Sequence, residues 1–311
     1  MHKMQSRAGA IVLLTVLAIA AIVLTALAFS AQRQQPAETP SATPKTLESP
    51  TPKSSESKPK QPEEPKPKTE KPQSAAVPTR LLTTGPDPEH LLRATAGECG
   101  TTPGTLEVSF DGGANWDASQ ISDFPNAALR QIDASDTAVS RLVLLNEVCE
   151  PQFAQSFVGG TDWESATEPG PLWYLLSAPS ATGYVSAASV ELPCDAVAIA
   201  GSASRGIALC EDSHVSTSED SGVTWSKPVA APMAAAVAVS AEGFVVASAN
   251  EPECAGVRTR EFSGGNLAAP GACLQVEVAG KDVAIAEDAQ TLFLWAGNTF
   301  ARSSDLGSSW N

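Results

Sequence analysis

The sequence predicts an all-β chain folded as a β-propeller of four-stranded antiparallel blades, five in number, preceded by one transmembrane helix and a disordered linker. Three observations carry this expectation. An eight-residue pattern recurs through the C-terminal three-quarters of the chain. Short, apolar, β-rich runs precede its copies in phase. The N-terminus holds an uncharged apolar run followed by a proline-rich stretch.

The recurring pattern is Ser-x-Asp-x-Gly-x-x-Trp. It is complete at Ser109-Phe-Asp-Gly-Gly-Ala-Asn-Trp116, Ser218-Glu-Asp-Ser-Gly-Val-Thr-Trp225 and Ser303-Ser-Asp-Leu-Gly-Ser-Ser-Trp310. A fourth copy keeps Ser156, Gly160 and Trp163 but has Val158 in place of the Asp, and a fifth, from Glu261 to Ala268, is more eroded. The starts at 109, 156, 218, 261 and 303 lie 47, 62, 43 and 42 residues apart. A period of roughly 45 residues suits one four-stranded blade. The physical chemistry suits a tight turn. Gly113, Gly160, Gly222 and Gly307 supply a positive φ, and Asp111, Asp220 and Asp305 can bond the turn's own amides. The tryptophans offer a large apolar body with one donor. Ahead of the copies, Asp195–Ala200 with Gly206–Leu209, Ala235–Ser240 with Phe244–Ala247, and Asp282–Ala286 with Thr291–Trp295 read as buried inner strand pairs. Arg80–Thr84 would begin the first blade, and Ser74–Pro78 would complete the last one as its fourth strand.

These segments resemble the Asp-box (BNR) repeat of sialidases, sortilin-type receptors and photosystem II assembly-factor-like propellers, over residues 79–311. The resemblance implies that the box residues are structural, on the hairpin between the third and fourth strands and away from the ligand face. It does not extend to sialidase chemistry. Those enzymes need an arginine triad, a Tyr–Glu pair and an Arg-Ile-Pro segment, where this chain has Thr79-Arg80-Leu81-Leu82 and only Tyr174 and Tyr184. No catalytic residue is therefore carried over, and the chain reads as a non-catalytic member.

Residues 1–7, with Lys3 and Arg7, are expected to stay inside; 8–30 form a transmembrane signal anchor, and the rest lies outside. Cleavage near Ala26–Ala28 would instead make the protein secreted. Residues 31–78 are rich in Pro, Lys, Glu and Ser and lack the apolar content for a core, so they read as an extended spacer reaching on the order of 100 Å. Of 20 Lys/Arg and 35 Asp/Glu, residues 1–78 hold ten and six, which leaves the 79–311 domain at −19. Such a domain repels phosphate backbones, so nucleic acid is not an expected partner. A monomer is expected.

All six cysteines lie in that domain, and an even count in an exported domain suggests disulfides. The strand register pairs Cys194 with Cys210 and Cys254 with Cys273, leaving Cys99 and Cys149, although six cysteines allow fifteen connectivities. No C-x-x-C pair occurs and the histidines are His2, His90 and His214, so neither a metal nor a cofactor is expected.

Two features remain as candidates for binding. The turns after the second strands carry Glu98, Glu147, Glu150, Glu211, Asp212, Glu251 and Glu253, an acidic ring around the central channel able to hold a cation or a basic partner surface, or simply to solvate one face. The long interval between the second and third boxes contains Trp173 and Tyr174, read as an outer strand of blade two that packs in the core or offers contacts, with a longer loop near Ala178–Val185. Together the features point to a membrane-anchored binding or scaffolding module for a protein or glycan at a cell envelope. A cell-surface glycoside hydrolase and an assembly factor for a membrane complex are the alternatives.

Overall fold

The computed structural model describes residues 80–279, 282–288 and 291–311. The expected anchor at 8–30, the spacer at 31–78 and the strand at Ser74–Pro78 lie outside them. Among the described residues no helix is long and apolar enough to cross a membrane.

Five antiparallel sheets follow one another along the chain. Blade one is β1 (Arg80–Thr84), β2 (Leu91–Thr95), β3 (Thr105–Ser109) and β4 (Asp117–Ala118). Blade two is β5 (Ala128–Asp133), β6 (Ser140–Leu145), β7 (Pro151–Ser156) and β8 (Glu164–Ala166). Blade three holds β9 (Trp173–Tyr174), β10 (Ser180–Val185), β11 (Ala188–Ser202), β12 (Arg205–Cys210), β13 (His214–Ser218) and β14 (Val229–Ala230), in the order β14-β13-β12-β11-β10-β9. Blade four is β15 (Ala234–Val239), β16 (Phe244–Glu251), β17 (Cys254–Ser263) and β18 (Asn266–Leu267), with β19 (Leu274–Gln275) also pairing β17. Blade five is β20 (Val283–Asp288), β21 (Thr291–Ala296) and β22 (Thr299–Ser303). The inner strands are β1, β5, the second half of β11, β15 and β20, and β1 packs on β20 to close the ring. Beside β22, Arg302 and Asn311 exchange backbone bonds of 3.1 and 2.9 Å, in the register Val108 and Asp117 adopt in blade one.

The eight-residue turns look alike in blades one, three and five. Ser109 Oγ donates to Asp111 Oδ1 (2.8 Å) and accepts from the Gly113 amide (2.9 Å), while Asp111 Oδ1 accepts from the Asn115 amide (2.9 Å). Ser218, Asp220, Gly222 and Thr224 repeat this, as do Ser303, Asp305, Gly307 and Ser309. The fifth-position glycines need their left-handed backbone, with φ of 87° at Gly113 and 88° at Gly307. In blade two Ser156 still bonds the Gly160 amide (2.9 Å), with Val158 contributing no side-chain bond. Blade four departs from expectation. Phe262 pairs with Leu267 and Ser263 with Asn266, so Gly264 and Gly265 make a two-residue hairpin and the eroded copy at Glu261 is not an eight-residue turn. Two consecutive glycines, both at positive φ, suit the shorter connection.

The interval between blades two and three holds the other correction. Residues 180–185 are strand β10 rather than a loop, and Trp173–Tyr174 pair with β10 in the third sheet rather than edging blade two. β9, β10 and the first half of β11 form a wedge between the blades. Between Ser180↔Ala196 and Thr182↔Glu191 the register breaks, so residues 192–195 bulge from β11. Trp173 is fully buried because Gly201 and Gly206, cross-strand partners, leave its indole room that any Cβ would occupy. Core packing, the first of the two expectations for Trp173 and Tyr174, is what the structure shows. Clusters of buried apolar residues then join blade to blade: Leu92, Leu129 and Trp163 for one and two; Val143 and Tyr174, then Leu175, Leu192 and Ala208, on the two sides of the wedge; Ile207 and Val246 for three and four; Val245 and Leu294 for four and five.

Candidate functional site

Antiparallel blades place the 1–2 and 3–4 turns on one face, called lower here, and the 2–3 turns with the inter-blade connections on the other, upper face. The three disulfides follow the register pairing expected from the sequence: Cys99–Cys149, Cys194–Cys210 and Cys254–Cys273. All three belong to the upper face. Cys99 and Cys149 tie the 2–3 turns of blades one and two together. Cys194 in the β11 bulge holds the end of β12, and Cys254 at the start of β17 holds the connection leading to blade five.

The seven acids of the sequence reading occupy this same face, in the 2–3 turns of four consecutive blades. Six are exposed: Glu98, Glu147, Glu150, Glu211, Asp212 and Glu253. Their contacts leave them largely open to solvent. Thr101 Oγ1 donates to Glu98 (3.2 Å), Asn126 Nδ2 donates to Glu147 (2.7 Å), and His214 Nδ1 lies 3.2 Å from Asp212. Glu251 is different. Arg260 grips both its oxygens at 2.5 and 3.0 Å, and Arg258 lies 3.9 Å away, reaching Glu253 as well at 3.8 Å. The Arg260 hydrogen bonds hold the Glu251 carboxyl below its usual range against the opposing effect of burial. Glu251 is thus committed to the fold, and the open acidic set has six members. Of these only Glu98 reaches the wall of the central cavity. Among the described residues no three of His, Cys, Asp or Glu approach closely enough to hold a metal ion.

The central cavity encloses about 1250 Å³ and is walled by all five inner strands. Leu82, Ile132, Ile199, Val237 and Ile285 contribute an apolar lining. Sequence reasoning missed its charged members: Arg205 and Glu287 fall just outside the apolar runs, Arg80 opens a strand placed by repeat phase alone, and the run that holds Arg130 and Asp133 was not singled out. Alternation along those runs was the available signal. Asp133 is pushed up chiefly by burial, although Ser135 and Arg141 oppose the shift. Glu287 is likewise raised by burial, opposed by the Ala241 amide. Burial lowers Arg130, whose Nε donates to Leu176 O at 3.0 Å. Arg205 donates to Ser240 O (3.2 Å) and lies over the Phe244 ring. Arg80 pairs with Asp282 beside blade five, and among the described residues the other polar contacts named here are local or to backbone.

No family profile and no curated protein sequence matches the chain. Solved structures similar to it include YCF48 bound to a D1 peptide, with 16% identity over 76% of this chain and 66% of that one and a TM-score of 0.29. A GH74 enzyme from Niastella koreensis matches at 16% identity, 74% and 30% coverage and a TM-score of 0.28. A lectin from Aleuria aurantia, in complex with Fucalpha1-6GlcNAc, matches at 12% identity, 76% and 94% coverage and a TM-score of 0.48. The chain spans 66% of the first of these and 30% of the second.

The eight-residue turns lie on the lower face. Asp111, Asp220 and Asp305 are held below the usual carboxylate range, mainly by the Asn115 amide, the Thr224 hydroxyl and the Ser303 hydroxyl followed by Ser309, respectively. Each of these acids spends its oxygens on its own turn. The tryptophans donate to carbonyls nearby: Trp116 to Gly113 (3.0 Å), Trp163 to Gly160 (3.1 Å), Trp225 to Glu191 (3.0 Å) and Trp310 to Ala272 (3.3 Å).

Proposed function

We propose that this chain is a non-catalytic Asp-box propeller that binds or scaffolds a protein or glycan at a cell envelope. Residues 8–30 would anchor it in a membrane, with 31–78 as the spacer, and the upper face would make the contact. One observation carries the reading: three disulfides and six open carboxylates share that face. Loops fixed by covalent crosslinks lose little conformational entropy on binding, which favours a contact surface over a merely solvated one. Their charge favours a basic protein surface, with faster association at low salt. The turn acids of the lower face are consumed by the turns, as structural box residues should be.

The test uses full-length protein in detergent, with and without amide replacement of Glu98, Glu147, Glu150, Glu211, Asp212 and Glu253, leaving Glu251 intact. Each form is used to capture partners from native envelopes. A partner kept by the native protein and lost by the variant supports the reading, and a membrane complex among them would favour the assembly role. Capture that is indifferent to the six acids removes the upper face from the proposal. Hydrolysis of fluorogenic glycosides, abolished by a single carboxylate change, would replace it with a glycoside hydrolase.

A further inference from the structure

The lower face holds a site of another kind, independent of the upper-face proposal. The second position of the eight-residue turn points into solvent. Blades three and five place Glu219 and Ser304 there, as an exposed turn position should have. Blades one and two instead have Phe110 and Phe157, which are 52% and 59% exposed. At the third position blade two alone replaces the turn Asp, and Val158 is 57% exposed. Three departures from the repeat thus fall on neighbouring turns, and all three are apolar and open to water. The blade-two turn does not depend on Val158, since Ser156 and Gly160 keep it without the Asp. Single exposed apolar residues are ordinary; an adjacent group of them marks an interaction surface.

The group is ordered by what surrounds it. His90, in the turn from β1 to β2, stacks on Phe110 with centroids 5.1 Å apart and planes 5° from parallel. Its Nε2 lies 2.8 Å from the Gly159 carbonyl of blade two, so the imidazole bridges the two blades. Beside the stack is a groove of about 330 Å³ between the blades, lined by His90, Phe157 and residues 136–140. Its rim is acidic. Asp87 and Asp136 line it, and Glu89 is exposed next to His90. Asp288 lies close enough to Asp87 to be pushed up by it, after burial. Two cations stand near this rim. Arg141 reaches Asp136 at 3.4 Å, and Arg302 lies near Gly112. Carboxylates still outnumber them.

We propose that this groove binds an extended protein segment in which an aliphatic or aromatic side chain is flanked by Lys or Arg. The apolar side chain would pack beside Phe110 and Phe157, and the flanking cations would meet Asp87 and Asp136. Charge decides the partner class: the acidic rim disfavours phosphate-rich and anionic surfaces and favours a basic peptide. A bare apolar patch would not discriminate in this way.

The experiment uses full-length protein in detergent and two fluorescein-labelled synthetic peptides, Gly-Lys-Leu-Phe-Lys-Gly and its partner with both Lys replaced by Glu. The variant carries Phe110→Glu and Phe157→Ser, which installs the residue types of blades three and five. A second variant carries Asp87→Asn and Asp136→Asn. Fluorescence anisotropy should show binding of the Lys peptide only. Binding should weaken at least tenfold in the phenylalanine variant, and about threefold, with a flatter salt dependence, in the asparagine variant. Incorporated 4-fluorophenylalanine, with resonances assigned by the single variants, should report shifts at positions 110 and 157 on peptide addition; the native fold of each variant is read from the other fluorine resonances. Equal affinity for both peptides, or no loss in the folded phenylalanine variant, overturns the proposal. So does binding to zwitterionic lipid vesicles that needs the two phenylalanines while the Lys peptide binds neither form, which would make the patch a membrane contact.

Discussion

Two seams of the ring are built from opposite materials. Between blades two and three the wedge is sealed by apolar packing: Trp173 lies on the Gly201–Gly206 pair, and Tyr174 stacks on Tyr184 at 5.1 Å. Between blades five and one, where the ring closes, none of the buried apolar clusters among the described residues crosses. There the contact is a ladder of guanidinium and indole groups. Arg80 lies over Trp295 at 4.0 Å and pairs with Asp282. Arg93 stands between Trp116 and Trp295, at 4.1 and 4.9 Å from their rings, and bonds Glu107 at 2.7 Å. Trp116 meets Phe300 of blade five edge-on. The lesson is one of mechanism. Apolar packing is non-directional and insensitive to salt, whereas a stacked and paired arginine fixes register and position. A ring can therefore be filled with the first and closed with the second.

The largest effect should come from the wedge. Trp173→Ala removes a fully buried ring and leaves a cavity, so the unfolding free energy should fall by roughly 3–5 kcal/mol, with the thermal midpoint about 10 °C lower and little dependence on salt. Asp282→Ala comes next. It strands Arg80, whose side chain is only 12% exposed, and should cost about 3 kcal/mol, read as a lower denaturant midpoint. If the two seams were equivalent, Asp282→Ala would be as mild as loss of a surface ion pair.

Titration separates the seams further. Glu287, on the closing blade's inner strand, has its carboxyl raised by burial above its ordinary value. A raised carboxyl contributes stability that is full below the unfolded pKa and lost as pH rises through the folded one. Glu287→Gln keeps an acceptor for the Ala241 amide. It should therefore raise the thermal midpoint at pH 7, by an amount that shrinks as pH falls toward the ordinary carboxylate range. Tyr174 in the wedge is raised by burial first and by Tyr184 second, so its contribution is lost only in alkali. The smallest effect belongs to the turns. Asp220→Ala removes the acceptor for the Thr224 amide and should lower the midpoint measurably, more so at pH 7 than in acid, because a depressed carboxylate stabilises above the unfolded pKa. Val158→Asp, which supplies that acceptor to blade two, should shift the midpoint the other way.

Much of this architecture was legible in the residues. The Ser, Asp and Gly of each complete turn act within eight positions, so their chemistry is local, and Arg80–Thr84 begins the first blade as the phase required. The cysteine pairs followed because strand register places partners before any packing is known. Glu261–Ala268 misled because one-residue register differences do not show in composition: Phe262 takes the place of the motif serine, and the turn shrinks to two glycines. The wedge misled for another reason. Whether Trp173 edges one blade or seals another depends on Gly201 and Gly206, 28 and 33 residues further along the chain, whose missing side chains have meaning only in contact.

The candidate sites divide along the same line. The acidic turns could be placed on one face from repeat phase alone, because antiparallel topology fixes which turns share an end. That Glu251 is bound by Arg260, that six carboxylates remain open, and that His90 joins Phe110 to blade two across a blade boundary were decided by tertiary structure. The sequence by itself determined the repeat, its turns and its crosslinks, since these rest on neighbours in the chain and on strand register. Pairing of charges, closure of the ring and exposure of the aromatic pair rest on contacts between blades, and distance along the chain carries no information about them.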